Sequence, residues 1–189
     1  MVKAAFLDRD DTLIKDIGYT FRTNDLVWKT NAILALSILS FAGYRLIVIT
    51  NQSGIARGYF TEKEMNTFHQ YMNNDLKQKT GIEIDKFYHC PHHSKGNIKK
   101  YRKKCSCRKP GTKLYKKAIS DYDINVSHSM VIGNNYSDIT PAYDLGVETA
   151  YLFKNDNKAD AHYSNKVVHV KNWTEVIKNI ENISDFVSK

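Results

Sequence analysis

The stretch FLDRDDTL, Phe6 to Leu13, closes a short apolar run and sets three carboxylates, Asp8, Asp10 and Asp11, within four positions. A short apolar run ended by polar residues predicts a buried strand, here Lys3 to Leu7. Like charges crowded at its end repel and raise one another's pKa. Such crowding needs a cation, a chemical task, or both.

The rest of the chain places that strand in a sheet. Apolar runs predict further strands at Tyr44–Ile49, Ile84–His89, Ser129–Ile132, Glu148–Phe153 and Val167–Val170. Helices are expected at Asn31–Phe41, from the Thr61-x-x-Glu64 capping box to Gly81, and at Thr112–Tyr122, Asp138–Leu145 and Asn172–Ile183. Strands that alternate with helices and are apolar on both faces indicate an α/β fold. The expected form is a Rossmann-like, doubly wound parallel sheet with helices on both faces. In such sheets ligands bind beyond the carboxyl ends of the strands. Those ends carry Asp8-Arg9-Asp10, Thr50-Asn51-Gln52-Ser53 and Gly133-Asn134, with Asp138 just beyond. No repeat, low-complexity tract or internal linker interrupts the 189 residues, so one domain, 1–189, is expected.

Composition narrows the partners. No apolar run approaches the roughly 18–20 residues of a membrane span, and the N-terminus lacks a signal-peptide pattern, so a cytoplasmic protein with no membrane partner is expected. The net charge is +8, and the eight basic residues from Lys95 to Lys109 include no acid among them. Outside that segment twenty basic residues face twenty acidic ones. One basic loop suggests a local anion site rather than a broad nucleic-acid face.

An aspartate at a strand end can attack phosphorus and form an aspartyl-phosphate. A second acid two residues on, Asp10, can protonate the leaving oxygen and later activate water. A divalent cation must relieve the repulsion between carboxylate and phosphate, and Mg²⁺ suits oxygen ligands. Thr50, Asn51 and Lys109 are suited in kind to hold phosphoryl oxygens.

Asp8-x-Asp10-x-Thr12, Thr50-Asn51 and a later lysine resemble the motifs of the haloacid dehalogenase-like phosphatases. TNQSGIARG (50–58), CPHH (90–93) and CSCRKP (105–110) look more closely like the D-glycero-D-manno-heptose 1,7-bisphosphate 7-phosphatases. The resemblance implies Asp8 as nucleophile, Asp10 as general acid/base, and Thr50 and Lys109 on the phosphoryl group. It implies a small sugar phosphate as substrate, met by Asp16, Gly18, Tyr19, Asn51, Gln52, Ser53 and Arg108. The implied reaction removes the 7-phosphate of a heptose bisphosphate on the way to a nucleotide-activated heptose for surface polysaccharide. A monomer is expected and no nucleic-acid partner. The alternatives are histidinol-phosphate phosphatase or another sugar-phosphate phosphatase, and, from another class, a nucleic-acid end-processing or binding module.

Cys90-x-His92 and Cys105-x-Cys107 use every cysteine in the chain. Three thiolates and an imidazole suit tetrahedral Zn²⁺ with no open position, so a structural zinc loop is expected over about 90–107. His93 is an alternative ligand, and the family spacing favours His92. The remaining histidines, His69, His89, His128, His162 and His169, carry little signal. Trp28 and Trp173 are expected to pack, with Trp28 within possible reach of the substrate mouth.

Two positions depart from the resembled pattern. Asp11 stands where the family has glycine, and Asn134 where it has an aspartate that binds Mg²⁺. The expected Mg²⁺ ligands are therefore Asp8, Asp10, Asn134 and Asp138, the last directly or through water. Asp11 is either a turn residue or a second source of charge.

Overall fold

The computed structural model describes residues 2–153 and 167–187; His162 lies outside them. Six parallel strands form one sheet: β1 (Lys3–Leu7), β2 (Tyr44–Asn51), β3 (Lys86–Cys90), β4 (Met130–Gly133), β5 (Thr149–Leu152) and β6 (Val167–His169). Their spatial order is β3-β2-β1-β4-β5-β6. The chain winds outward one way from β1 and then returns to wind the other way from β4. The crevice between β1 and β4 is thus the topological switch point, where such folds bind ligands.

Alternation along each strand builds a core on either side. Ala5 and Leu7 of β1, Leu46 and Val48 of β2, and Met130 and Ile132 of β4 face one way. There they meet α1 (Ala32–Phe41), α3 (Glu62–Thr80) and α6 (Trp173–Val187) through Leu36, Leu39, Phe68, Met72, Trp173 and Val176. Ala4, Phe6, Ile47, Ile49 and Val131 face the other way. These meet α4 (Lys113–Tyr122) and α5 (Tyr136–Tyr143) through Leu114, Tyr115, Ala118, Ile139 and Ala142. Helices on both faces are what fully apolar strands require.

Differences from the expected boundaries have local causes. β3 begins two residues late because Asn73 of α3 takes both backbone groups of Ile84, accepting its N–H at 2.7 Å and donating to its C=O at 3.1 Å. α5 begins two residues early because Asn135 and Asp138 form a reciprocal capping box. A five-residue helix, α2 (Ser53–Arg57), follows β2 and has no signal in hydrophobic periodicity.

Both tryptophans are tethered as well as packed. The Trp28 indole donates to Asp75 of α3 at 2.7 Å, which turns it toward α3. Trp173, 1% exposed, donates to the carbonyl of Thr12 at 2.8 Å and so pins the turn after β1. Trp173→Phe should keep the packing and lose that bond. The expected cost is about 1–2 kcal/mol in urea unfolding, since the Thr12 carbonyl is left buried.

Candidate active site and zinc loop

Asp8 leaves β1 with its N–H still bonded to the carbonyl of Ile132 at 3.0 Å, so β4 fixes its backbone. One carboxylate oxygen accepts from the Lys109 ammonium at 2.6 Å and the other from the Thr12 hydroxyl at 3.1 Å. Lys109 also donates to the Ile49 carbonyl at 2.6 Å and pairs with Asp138 at 2.8 Å. All three ammonium hydrogens are therefore used, inside a site where Lys109 is 4% exposed.

Burial alone would lower the Lys109 pKa, but the Asp138 and Asp8 carboxylates outweigh it and hold the ammonium above the usual lysine range. Asp8 is pushed up to about 7, chiefly by burial. Lys109 opposes that rise, while Asp138 and Asp10 add to it. One ammonium thus serves two acids and does not fully compensate the burial of Asp8.

Asp138 reaches Lys109 because Gly133 lets it come close. A Cβ at Gly133 would lie 2.5 Å from that of Asp138. The second Asp138 oxygen accepts from the N–H groups of Asn134 and Asn135 at 3.2 and 2.9 Å, at the start of α5.

Asp10 turns the other way. Its carboxylate accepts from Arg9, from Gln52 at 2.8 Å, and at 3.5 Å from Thr50. Asn134 donates its side-chain amide to the Asp10 carbonyl at 3.3 Å. Asp11 takes a left-handed backbone, φ 56°, and its exposed carboxylate bonds Lys29 and the N–H of Asp16. Aspartate is among the residues that tolerate this conformation, which glycine adopts without cost.

A cavity of about 300 Å³ opens beside Asp10, lined by Arg9, Asp16, Gly18, Tyr19, Asn51, Gln52 and Ser53. Asp16 shapes its rim by accepting from the N–H groups of Gly18 and Thr20 and from the Thr20 hydroxyl. Tyr19 sits edge-on to Tyr59 with ring centres 4.7 Å apart. Six of the seven residues expected at the substrate come together here. Arg108 is not among the lining residues, and its Nη1 is buried without a hydrogen-bond partner among the described residues.

Asn51 ties the cavity to the basic loop. Its amide accepts from the Lys109 N–H at 3.0 Å and donates to the Lys109 carbonyl at 3.2 Å, as a neighbouring strand would. The loop is gathered at Cys90, His92, Cys105 and Cys107, whose ligand atoms all lie within 4.8 Å of one another. Sulfur–sulfur distances of 3.1–3.5 Å, and His92 Nδ1 at 3.2 and 3.7 Å from two sulfurs, approach the edge of about 3.8 Å that a tetrahedral zinc–thiolate set would have. These residues fit Zn²⁺. The His93 ring instead accepts from the Lys95 N–H. Around Asp8 the donors are all oxygens, namely the Asp8 carboxylate, the Asp10 carbonyl and the Asn134 amide, and they suit a hard cation such as Mg²⁺ in kind. Asp138 and the Asp10 carboxylate are already engaged by Lys109, Arg9 and backbone N–H groups.

Arg9 and His69 escaped the motif reading altogether. Each is buried, 1% and 4% exposed, and Arg9 donates to His69 Nε2 at 3.0 Å. A charged residue between two acids on a strand end was the available signal for Arg9. Nothing in sequence pointed to His69, because α3 brings it in from sixty positions away.

The polynucleotide kinase 3 phosphatase family model matches residues 3–167. The D-glycero-alpha-D-manno-heptose-1,7-bisphosphate 7-phosphatase of Photorhabdus laumondii is 34% identical over 88% of this chain and 91% of its own. The D-glycero-beta-D-manno-heptose-1,7-bisphosphate 7-phosphatase of Haemophilus ducreyi is 37% identical over 90% and 93%. Among solved structures, the D,D-heptose 1,7-bisphosphate phosphatase of B. bronchiseptica, complexed with magnesium and phosphate, shares the fold. Its TM-score is 0.78 at 23% identity, covering 96% of this chain and 99% of that one.

Two measurements follow from the geometry. Stripping zinc with a mercurial and a chelator should release one ion per chain as three thiols take up the mercurial. Amide exchange should then rise over residues 91–110 while the sheet's circular dichroism persists. Separately, a carboxyl whose folded pKa is raised gives its full stability below the unfolded value of 3.8 and loses it as pH rises through about 7. Asp8→Asn should therefore gain thermal stability over wild type between pH 4 and pH 7 in magnesium-free buffer without chelator. Parallel melting curves for the two proteins check it.

Proposed function

The chain belongs to the haloacid dehalogenase-like phosphatases, among the D-glycero-D-manno-heptose-1,7-bisphosphate 7-phosphatases, and on that premise we propose that it removes the 7-phosphate of a heptose 1,7-bisphosphate. One observation carries the substrate class. The cavity of about 300 Å³ beside Asp10 is at the small end of ligand sites, sized for a sugar rather than a polymer.

Asp8 attacks phosphorus through a carboxylate oxygen, and the bond from phosphorus to the sugar oxygen breaks. Asp10 gives its proton to that oxygen, and the heptose leaves with its 1-phosphate in place. Asp10, now a carboxylate, takes a proton from water as the water oxygen attacks phosphorus. The Asp8–phosphorus bond then breaks, releasing inorganic phosphate and restoring both acids. Thr50 and the Lys109 ammonium, whose bond to Asp8 loosens as the carboxylate charge passes to phosphorus, then hold the phosphoryl oxygens.

Mg²⁺, when bound, supplies the charge that lets a phosphate dianion approach Asp8. Asp8, the Asp10 carbonyl and the side chain of Asn134, with its amide turned to present oxygen, would hold it. Asp138 serves Lys109 rather than the metal directly. Zn²⁺ held by Cys90, His92, Cys105 and Cys107 would order the backbone that carries Lys109. Asn51 holds that backbone against β2, so a structural ion in the loop would position a group in the site.

A panel of phosphate esters with Mg²⁺ tests the assignment, measuring released phosphate. It includes both anomers of the heptose bisphosphate, since the relatives' names divide between them, with histidinol phosphate and a 3′-phosphorylated oligonucleotide. The heptose bisphosphate should give the highest kcat/KM, and Asp8→Asn should lower turnover by about 10⁴-fold. A higher kcat/KM for either of the other two esters would reassign the substrate.

A further inference from the structure

Arg9 is a buried cation whose every nitrogen is engaged. Nε donates to Asp10 at 3.0 Å, and Nη2 donates to both Asp10 oxygens at 2.8 and 3.1 Å. Nη2 also meets the Thr20 carbonyl at 2.8 Å and the Gln52 side-chain oxygen at 3.1 Å. Nη1 meets His69 Nε2 at 3.0 Å, and the guanidinium lies over the Phe68 ring at 5.2 Å. The end of β1, the rim loop, the end of β2 and helix α3 are thereby held through one side chain.

A guanidinium only donates, so His69 Nε2 must accept and the proton of the ring sits on Nδ1. The ring is stacked on Phe87 of β3, centres 4.3 Å apart and planes 14° apart, which leaves it one orientation. Burial first, and then the charge of Arg9, drive its pKa well below the usual imidazole range, so it stays neutral and able to accept. His69 does not line the substrate cavity. The proton chemistry assigned to Asp8 and Asp10 makes no use of it.

We propose that His69 and Arg9 are positioning residues for proton transfer: His69 fixes the guanidinium, and the guanidinium fixes the Asp10 carboxylate at the cavity. The physical reason lies in the fork geometry. A guanidinium held at Nη1 cannot swing in its plane, so Nε and Nη2 present a fixed pair of donors to Asp10. Gln52 closes the frame, donating to Asp10 and accepting from Arg9. Asp10 keeps 24% of its side-chain surface open and faces the cavity from a single orientation. Proton transfer depends steeply on such placement.

This inference rests on Asp10 being the proton-transfer group of the proposed reaction, and leaving-group dependence tests it. An alkyl phosphate needs a proton on its departing oxygen, whereas the p-nitrophenolate of p-nitrophenyl phosphate departs without one. His69→Leu should lower kcat/KM about tenfold or more on an alkyl phosphate and less than about twofold on p-nitrophenyl phosphate, kcat/KM being the quantity that ends at the aspartyl-phosphate and excludes the water step common to both esters. His69→Gln, which returns an acceptor oxygen, should recover most of the loss. Arg9→Lys, which keeps the charge and loses the fork, should repeat the His69→Leu pattern, and it serves if His69→Leu does not fold. Equal losses on the two esters, no loss, or no recovery with glutamine would overturn the proposal. Asp10→Asn run alongside separates the failures. If its kcat/KM too falls equally on both esters, the leaving-group proton role of Asp10 falls and the positioning pair with it. If it alone depends on the ester, only the positioning pair falls. Any alkyl phosphate with measurable turnover serves, so the test does not depend on the heptose assignment.

Discussion

The Lys109 ammonium lying between Asp8 and Asp138 is the contact on which the rest of the site is built. A buried cation shared by two carboxylates is costly to assemble, because three charges leave water together. It persists because each partner is held by something else. Thr12 holds Asp8, two N–H groups of α5 hold Asp138, and the Ile49 carbonyl takes the third ammonium hydrogen. Removing any one support would leave a buried charge short of a partner.

Two acids of the FLDRDDTL stretch are sorted by direction. The turn after β1 sends Asp8 toward Lys109 and Asp10 toward Arg9, so each is matched with its own buried cation. The third, Asp11, points outward to Lys29 and takes the left-handed backbone that a glycine would fill. The close spacing seen in sequence therefore does not translate into three charges at one point. Electrostatic relief comes from two basic side chains, one adjacent in sequence and one a hundred residues away.

Much of this was legible in the chain. The apolar runs located the sheet, and the rule that ligands sit beyond strand ends gathered Asp8, Asn51 and Asn134 without coordinates. The cysteine spacing gave the zinc set because thiolates and imidazole in that pattern have few other uses. Boundaries failed where a side chain replaced the backbone ladder, as Asn73 does at Ile84, or where a capping box was overlooked, as at Asn135. The share of Asp138 between an ammonium and a helix start was invisible, since charge type alone suited it to a metal. His69 was invisible for a different reason. A histidine on a helix looks the same in sequence whether it meets water or a buried guanidinium.

The order of the strands has a consequence for how the molecule is made. Of these six strands β1 leaves the ribosome first, yet it lies inside the finished sheet, between β2 and β4. Its second neighbour, β4, begins only at Met130, and the cation for Asp8 arrives only at residue 109. Until those residues are made, the nascent chain carries an apolar edge with nothing to pair it and an acid without its buried cation. Pairings so distant along the chain form slowly, and unpaired edges invite association with other chains. Production of this protein is accordingly most exposed to aggregation in its incomplete forms. A chain that stops short of β4 has the strand that carries Asp8 but lacks the neighbour that buries it.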